Sequence, residues 1–393
     1  MIDRRSTNAT TCIAGIGQTP YAKWGSVMDR SELELCCEAI VNACADAGMD
    51  VDEIDGFCSF GDDRNQPSLV ATTLGVPGFR YANMVWSGGG GGSAAAVLNA
   101  VLAVHSGICR SVVVYRAICQ GQFERYGQFR PRPLSSFAAP FGLHSPPNMA
   151  AMMTRRYMHE TGTTKEQLGE VALAFRRHAN RNPRALFADR TLDMDEYLAA
   201  REIASPFSLY DCCVETDGAC AVIVTSPERA RDGRQRPVSI LAAAQGSGPR
   251  FGLGLMGSWN MPAETFATLN SKEVSDQIWS ISGLGPKDVD VAQFYDAFTS
   301  LIPMALEEYG FCKRGEGGPF VADGHLDWAG GSLPSNTAGG LLSEAYQQGM
   351  NLIVEGVRQM RGTSTSQVED AEVCLVTSGA NAPHTSGLLL GRC

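Results

Sequence analysis

The chain has 393 residues, 44% of them hydrophobic and 19% charged, and a net charge of −10 at pH 7. This composition excludes global disorder, and no apolar run reaches the roughly 18 residues a membrane span needs. The acidic balance argues against a nucleic-acid partner, because proteins that bind a phosphate backbone present basic stripes.

In chain order, residues 12–17 (CIAGIG) read as a buried strand. Residues 32–47 carry helical periodicity, with Ser31 placed as N-cap and Gly48 as the stop. Further strands are predicted at 54–60 and 81–86. Five glycines between Ser87 and Ser93 lead into a helix at 94–105, and a strand follows at 111–115. From 116 to 205 the pattern breaks into proline-punctuated loops and a charged helix at 165–181. The core resumes with strands at 220–225 and 238–243, a helix at 273–282, a strand at 289–294 and a helix at 298–309. A glycine-containing turn at 333–342, a helix at 343–359 and strands at 371–377 and 386–390 close the chain. The alternation predicts an α/β fold with a mostly parallel sheet covered by helices. Residues 1–232, with an insertion at about 116–205, and residues 233–393 show a similar order, which suggests two duplicated halves.

The 13 cysteines are odd in number, form no C-x-x-C and sit in apolar or helical surroundings. They read as small buried hydrophobes in a reduced cytosol rather than as disulfides or a zinc site. The first eleven residues hold no apolar segment of the secretory type, and the protein is placed in the cytoplasm.

Several motifs then appear together and in order. The segment 84–107 (MVWSGGGGGSAAAVLNAVLAVHSG) resembles the nucleophile strand, turn and helix of the thiolase superfamily. Phe294-Tyr295-Asp296-Ala297-Phe298 resembles that superfamily's Asn-Glu-Ala-Phe or His-Asp-Cys-Phe box. Residues 336–346 (NTAGGLLSEAY) resemble the glycine-rich segment of its Gly-His-Pro motif. Residues 155–183 and Asp217-Gly218-Ala219 are similar to sterol carrier protein-x thiolases and lipid-transfer proteins. The resemblance implies the thiolase fold: two βαβαβαββ halves in five layers, α-β-α-β-α.

The departures from the pattern carry the functional reading. The nucleophilic cysteine position falls at Gly90, or at Gly89 if the register slips. The histidine of Gly-His-Pro falls at Tyr346, and the Asn or His of the third box at Tyr295. The second cysteine position lies near Ser378 and Gly379, while Cys374 is earlier and inside a predicted strand. Claisen chemistry needs a thiolate to hold the acyl group, and this pattern lacks one. With tyrosine at both positions the chain resembles the thiolase-fold aldolases of sterol side-chain degradation. That resemblance implies retro-aldol cleavage of a steroid β-hydroxyacyl-CoA, giving a 17-ketosteroid and propionyl-CoA. It also implies a homodimer, no cofactor in this chain, and an α2β2 complex with a small OB-fold partner carrying a zinc ribbon.

The chemistry asks for a base, an acid and donors for an enolate. Tyr295 and Tyr346 are the candidate acid and base, although an unperturbed phenol is only about 0.1% ionised at pH 7. Asp296 is a candidate proton acceptor or orienter, and His384 a third acid or base. Backbone N–H groups of Gly89, Gly90 and Gly91, before a helix N-terminus, are candidate enolate donors. Their missing side chains also leave room for bulky rings. Gly340, Gly379 and Asn381 are further substrate-binding candidates. Arg125, Arg130 and Arg132 are candidates for CoA phosphates, residues 256–261 for an apolar cover loop, and Tyr157, His159 and His178 for structural roles. Two other readings stand beside this one: a non-catalytic acyl-CoA or lipid-binding subunit, and an acyltransferase using Ser87 or Ser93.

Overall fold

The structure, a computed structural model, describes residues 10–61, 63–86, 89–123, 139–143, 145–248, 263–379 and 384–393. Its strands are β1 (Cys12–Gln18), β2 (Ala22–Lys23), β3 (Gly56–Phe60), β4 (Tyr81–Val85), β5 (Ser111–Ile118), β6 (Glu202–Ala204), β7 (Phe207–Ser208), β8 (Thr216–Thr225), β9 (Val238–Gly246), β10 (Val291–Gln293), β11 (Val373–Ser378) and β12 (Thr385–Arg392). Apart from the β6–β7 ribbon they form one sheet, ordered β10-β11-β12-β9-β1-β8-β5-β3-β4, with β2 on β8.

The sheet is mixed rather than mostly parallel. Among the described strands, parallel pairing is confined to β3–β4, β3–β5 and β10–β11. β8 runs antiparallel to β1 and β5, and β12 to β9 and β11. A short connection such as the one between β11 and β12 can only reverse the chain, since parallel neighbours need a long crossover.

Two residue pairs alone, Cys12↔Ser239 and Ile13↔Val238, join β1 to β9. About this seam the sheet wraps around two central helices, Ser93–His105 and Met350–Arg361, which pack on strands from both sides. Helix Glu32–Ala47 covers β1, β5 and β8 from outside, and helix Lys272–Ser282 covers β9 and β12. The layers therefore run α-β-α-β-α, as expected. Helix Ser93–His105 fits between two sheet faces because its buried positions are mostly alanine: Ala94, Ala95, Ala96, Ala100 and Ala103. Among the described residues no helix is long and apolar enough to cross a membrane.

Local signals hold where capping chemistry is present. Helix Glu32–Ala47 starts at a Ser31–Glu34 capping box and stops at Gly48 with φ 72°. The predicted helix at 343–359 begins only at Met350, because Gln348 (φ 48°) and Gly349 (φ 92°) adopt left-handed backbone. Residues 344–349, with Tyr346, are therefore not part of that helix. The helix predicted from 298 starts at Leu301, since Phe298 is bridged to Cys212.

Candidate active site

Tyr295 follows the end of β10, where three contacts fix the chain. The Phe294 amide donates to Asn336 Oδ1 at 2.7 Å, and Asn336 Nδ2 donates back to the Phe294 carbonyl at 2.9 Å. The Tyr295 amide donates to Thr377 Oγ1 at 2.9 Å. Asp296, fully buried, accepts the amides of Leu341 (2.8 Å) and Leu342 (3.1 Å), so its carboxylate anchors the turn Gly340–Ser343. A Cβ at Gly340 would fall 2.3 Å from Asp296 Oδ2, so the bare Cα there serves this anchor, and Gly340 is itself buried.

Tyr346 is held from the opposite side. Its amide donates to Thr216 Oγ1 in β8 at 2.9 Å, and the Thr216 hydroxyl donates to the Tyr346 carbonyl at 3.3 Å. Two residues earlier, buried Glu344 accepts from Asn182 Nδ2 (3.1 Å) and Asn351 Nδ2 (3.0 Å). These constraints bring the hydroxyls of Tyr295 and Tyr346 to 3.2 Å from each other.

Burial sets the protonation states. It pushes the Tyr295 phenol well above its ordinary value, with Tyr346 adding to the shift, so Tyr295 is neutral at physiological pH. Burial raises Asp296 to about 7 against the pull of the Leu341 and Leu342 amides and of Asn336. It raises Glu344 to about 7 as well, opposed by Arg358 and Asn351 and reinforced by Glu355. His178 is buried and lowered to about 4. The Trp328 amide donates to its Nε2 at 3.0 Å, so Nδ1 carries the proton and donates to the Asn336 carbonyl at 3.3 Å. His178 is thus a neutral strut under Asn336, and its 3.9 Å approach to Asp327 is no ion pair at neutral pH. Tyr157 is structural too, donating to Glu307 at 2.5 Å, while His159 is exposed.

The glycine turn closes the site from the N-terminal side. Gly89–Gly92 form a 3-10 turn before helix Ser93–His105. A Cβ on Gly90 would lie 2.0 Å from the Tyr295 Oη, whereas one on Gly89 would meet nothing within 4 Å. Gly90, not Gly89, is therefore the residue that faces the phenol. The helix's first donors are satisfied from β11 and β12: the Ala94 amide donates to Ser378 Oγ (3.1 Å) and the Ala95 amide to Ser386 Oγ (3.0 Å). Ser386 Oγ donates to the Gly91 carbonyl at 2.6 Å. Ser93 is fully buried with its Oγ 2.5 Å from Ser378 Oγ, so it presents no exposed nucleophile. Gly379 (φ 76°) packs directly on Gly91, where a Cβ would lie 2.4 Å from the Gly91 Cα.

His384 stands at the entrance to β12, half-buried, its pKa lowered by that burial. Its Nε2 meets no hydrogen-bond partner among the described residues. Every cysteine is free. Burial raises Cys213, beside Tyr295, and Cys374, inside β11, well above the usual thiol range, which disfavours a thiolate at either. Ser87, Asn381, Arg125, Arg130, Arg132 and residues 256–261 lie outside the described residues.

The sequence points to the two tyrosines but not to the residues that aim them, Asn336, Thr377, Thr216 and Glu344, nor to Ser386, which holds the start of the facing helix. Their only sequence signal is the polar residue type in an otherwise apolar strand or glycine-rich segment.

Comparison with known proteins now bears on this geometry. Residues 259–391 match the family model described as thiolase C-terminal domain-like. The chain is 44% identical to the 17-hydroxy-3-oxo-4-pregnene-20-carboxyl-CoA lyase of Mycobacterium tuberculosis, covering 96% of this chain and 98% of that one. It is 42% identical to a steroid side-chain-cleaving aldolase of Thermomonospora curvata, over 96% and 97%. Among solved structures, the Ltp2-ChsH2(DUF35) aldolase superposes with a TM-score of 0.91 at 42% identity, covering 98% of each chain. By full-length identity and by fold, the chain belongs to the thiolase-fold family of steroid side-chain-cleaving aldolases.

Proposed function

We propose that this protein cleaves a 17-hydroxy steroid side-chain acyl-CoA by a retro-aldol reaction, giving a 17-ketosteroid and propionyl-CoA. The observation that carries the reading is the Tyr295–Tyr346 hydroxyl pair, 3.2 Å apart against the bare Cα of Gly90. The two phenols act as one relay. The tertiary hydroxyl gives its proton to one phenol oxygen as that phenol passes its own proton to the other. The bond between the carbinol carbon and the α-carbon breaks, and its electron pair enters the thioester enolate. The second phenol gives its own proton to the α-carbon as it receives that of the first, so neither oxygen carries two protons and the pair ends with the protons it began with. A relay suits a site where burial makes a free tyrosinate costly. Asp296 holds the two loops in register, and the N–H groups around Gly89, Gly91 and Gly379 with Asn381 are assigned to the thioester oxygen. His384, whose buried Nε2 has no hydrogen-bond partner among the described residues, is assigned as a third acid or base. Cleavage moves one proton and one electron pair, so no cofactor is assigned to this chain.

The same proposal includes assembly. The sheet has two edges, β10 and β4. The segment before Asn336 covers β10 through an Ala292↔Ser335 bridge, while among the described residues β4 has no further strand beside it and is followed by Trp86, 84% exposed. An open edge of this kind favours two-fold pairing with a second copy, and a DUF35 protein is assigned as partner in an α2β2 complex. Sedimentation of the chain at micromolar concentration should show a dimer; a 42.0 kDa species alone counts against it. The free thiols support a reducing compartment, and the cytoplasm is assigned as the protein's location.

Tyr295→Phe and Tyr346→Phe test the chemistry. Each keeps the ring and should lower cleavage by about 10² to 10⁴-fold, the usual contribution of a positioned acid or base. Substrate binding should change little. The variant that loses the group protonating carbon should also slow solvent-hydrogen exchange at the α-carbon of propionyl-CoA. Wild-type cleavage by both variants would refute the assignment.

A further inference from the structure

We infer that Gly90 is a positioning residue for the phenol pair: its bare Cα sets Tyr295 within reach of Tyr346. A Cβ built on Gly90 would lie 2.0 Å from both Cζ and Oη of Tyr295 and 2.2 Å from Cε2. The backbone of Gly90 lies outside the left-handed region, so its conformation does not require glycine. What requires it is space. Gly89 is the reverse case, with φ 46° and open space where its side chain would be.

The ring cannot simply retreat. Its amide is tied to Thr377 and it is only 7% exposed. The backbone at Gly349 runs close to the same ring, a Cβ there standing 3.4 Å from Cδ2 and 3.5 Å from Cε2, so a side chain at position 349 would already touch it. A methyl group at position 90 is therefore accommodated only by swinging the ring, and the hydroxyl at its end moves away from Tyr346. This rests on the relay proposed above, and the test separates the two.

Gly90→Ala, Tyr295→Ala and the double variant are compared by unfolding midpoint and by cleavage of a 17-hydroxy steroid acyl-CoA. Gly90→Ala should lower kcat by about 10²-fold or more, the scale expected for a reacting group displaced by about 1 Å, with KM changed less than about threefold. It should lower the unfolding midpoint of the wild-type chain but not of the Tyr295→Ala chain, where the ring is gone. Cleavage within about threefold of wild type overturns the inference, as does equal destabilisation in both backgrounds. If Gly90→Ala does not fold, the double variant decides: folding as well as Tyr295→Ala supports the inference, and failing to fold overturns it. The stability comparison needs no substrate. A wild-type protein that does not cleave the acyl-CoA refutes the relay while the packing relation is still read.

Discussion

The two sides of the site are built on opposite terms. The N-terminal side, Gly89–Gly92 and the start of helix Ser93–His105, contributes absence: no side chain at Gly90, and helix donors already satisfied. The opposite side, Phe294–Asp296 and residues 340–349, contributes the phenols and the polar contacts that aim them. Each side also completes the other. Ser378 and Ser386 cap the N-terminal side's helix, and Thr216 in β8 holds Tyr346. Reactive groups need rigid partners, whereas a void needs only that nothing fill it, so damage should be unequal on the two sides.

The largest effect is expected on the side that carries the phenols. Asp296→Ala leaves the buried Leu341 and Leu342 amides without acceptors, and unsatisfied buried donors cost about 1–3 kcal/mol each. A loss of about 2–5 kcal/mol in urea unfolding is expected, with at least a hundredfold drop in cleavage as Tyr346 loses its register. Asp296→Asn keeps one acceptor and should fall between. An Ala variant as stable as wild type would remove Asp296 from its anchoring role.

The next effect is carried by pH. Glu344, raised to about 7 by burial, holds its proton in the folded state after the unfolded chain has released its own near pH 4.5. The folded state then binds more protons, so this contribution to stability is complete below about pH 4.5 and is lost as pH rises through about 7. Glu344→Gln should flatten that fall, measured as unfolding free energy at pH 5 and pH 8. An unchanged slope would mean that Glu344 is ionised in the fold. His178 works in the opposite sense: with its pKa lowered to about 4, stability falls as pH drops below about 6.5.

The smallest effect is expected where the two sides meet. Ser378→Ala and Ser386→Ala each remove an acceptor from the first turn of helix Ser93–His105. Loss of a capping side chain costs about 0.5–2 kcal/mol, so thermal unfolding should shift modestly for each. No shift for either would mean that the helix N-terminus does not depend on the strands it abuts.

Much of the architecture can be read locally. The Ser31 cap and Gly48 stop, the alanine-rich helix and the order of elements need only near neighbours, and the motif order suffices for the family and for choosing Tyr295 and Tyr346. Local signals fail where long-range contacts intervene. Strand direction at β8, β9 and β12 depends on which strands become neighbours, and the helix start at Met350 depends on two left-handed residues.

What the sequence determined by itself is the inventory: two phenols where a thiolase-like chain has other groups, and five glycines before a small-residue helix. Only the tertiary structure decided that Gly90 rather than Gly89 faces Tyr295, that Asp296 anchors backbone, and that Ser378 and Ser386 hold the start of helix Ser93–His105. The physical reason is distance along the chain. The two hydroxyls are 51 residues apart, and Ser93 and Ser378 are 285 apart. Periodicity and capping express forces between near neighbours, while contacts across such separations exist only once both sheet faces have closed on the central helices.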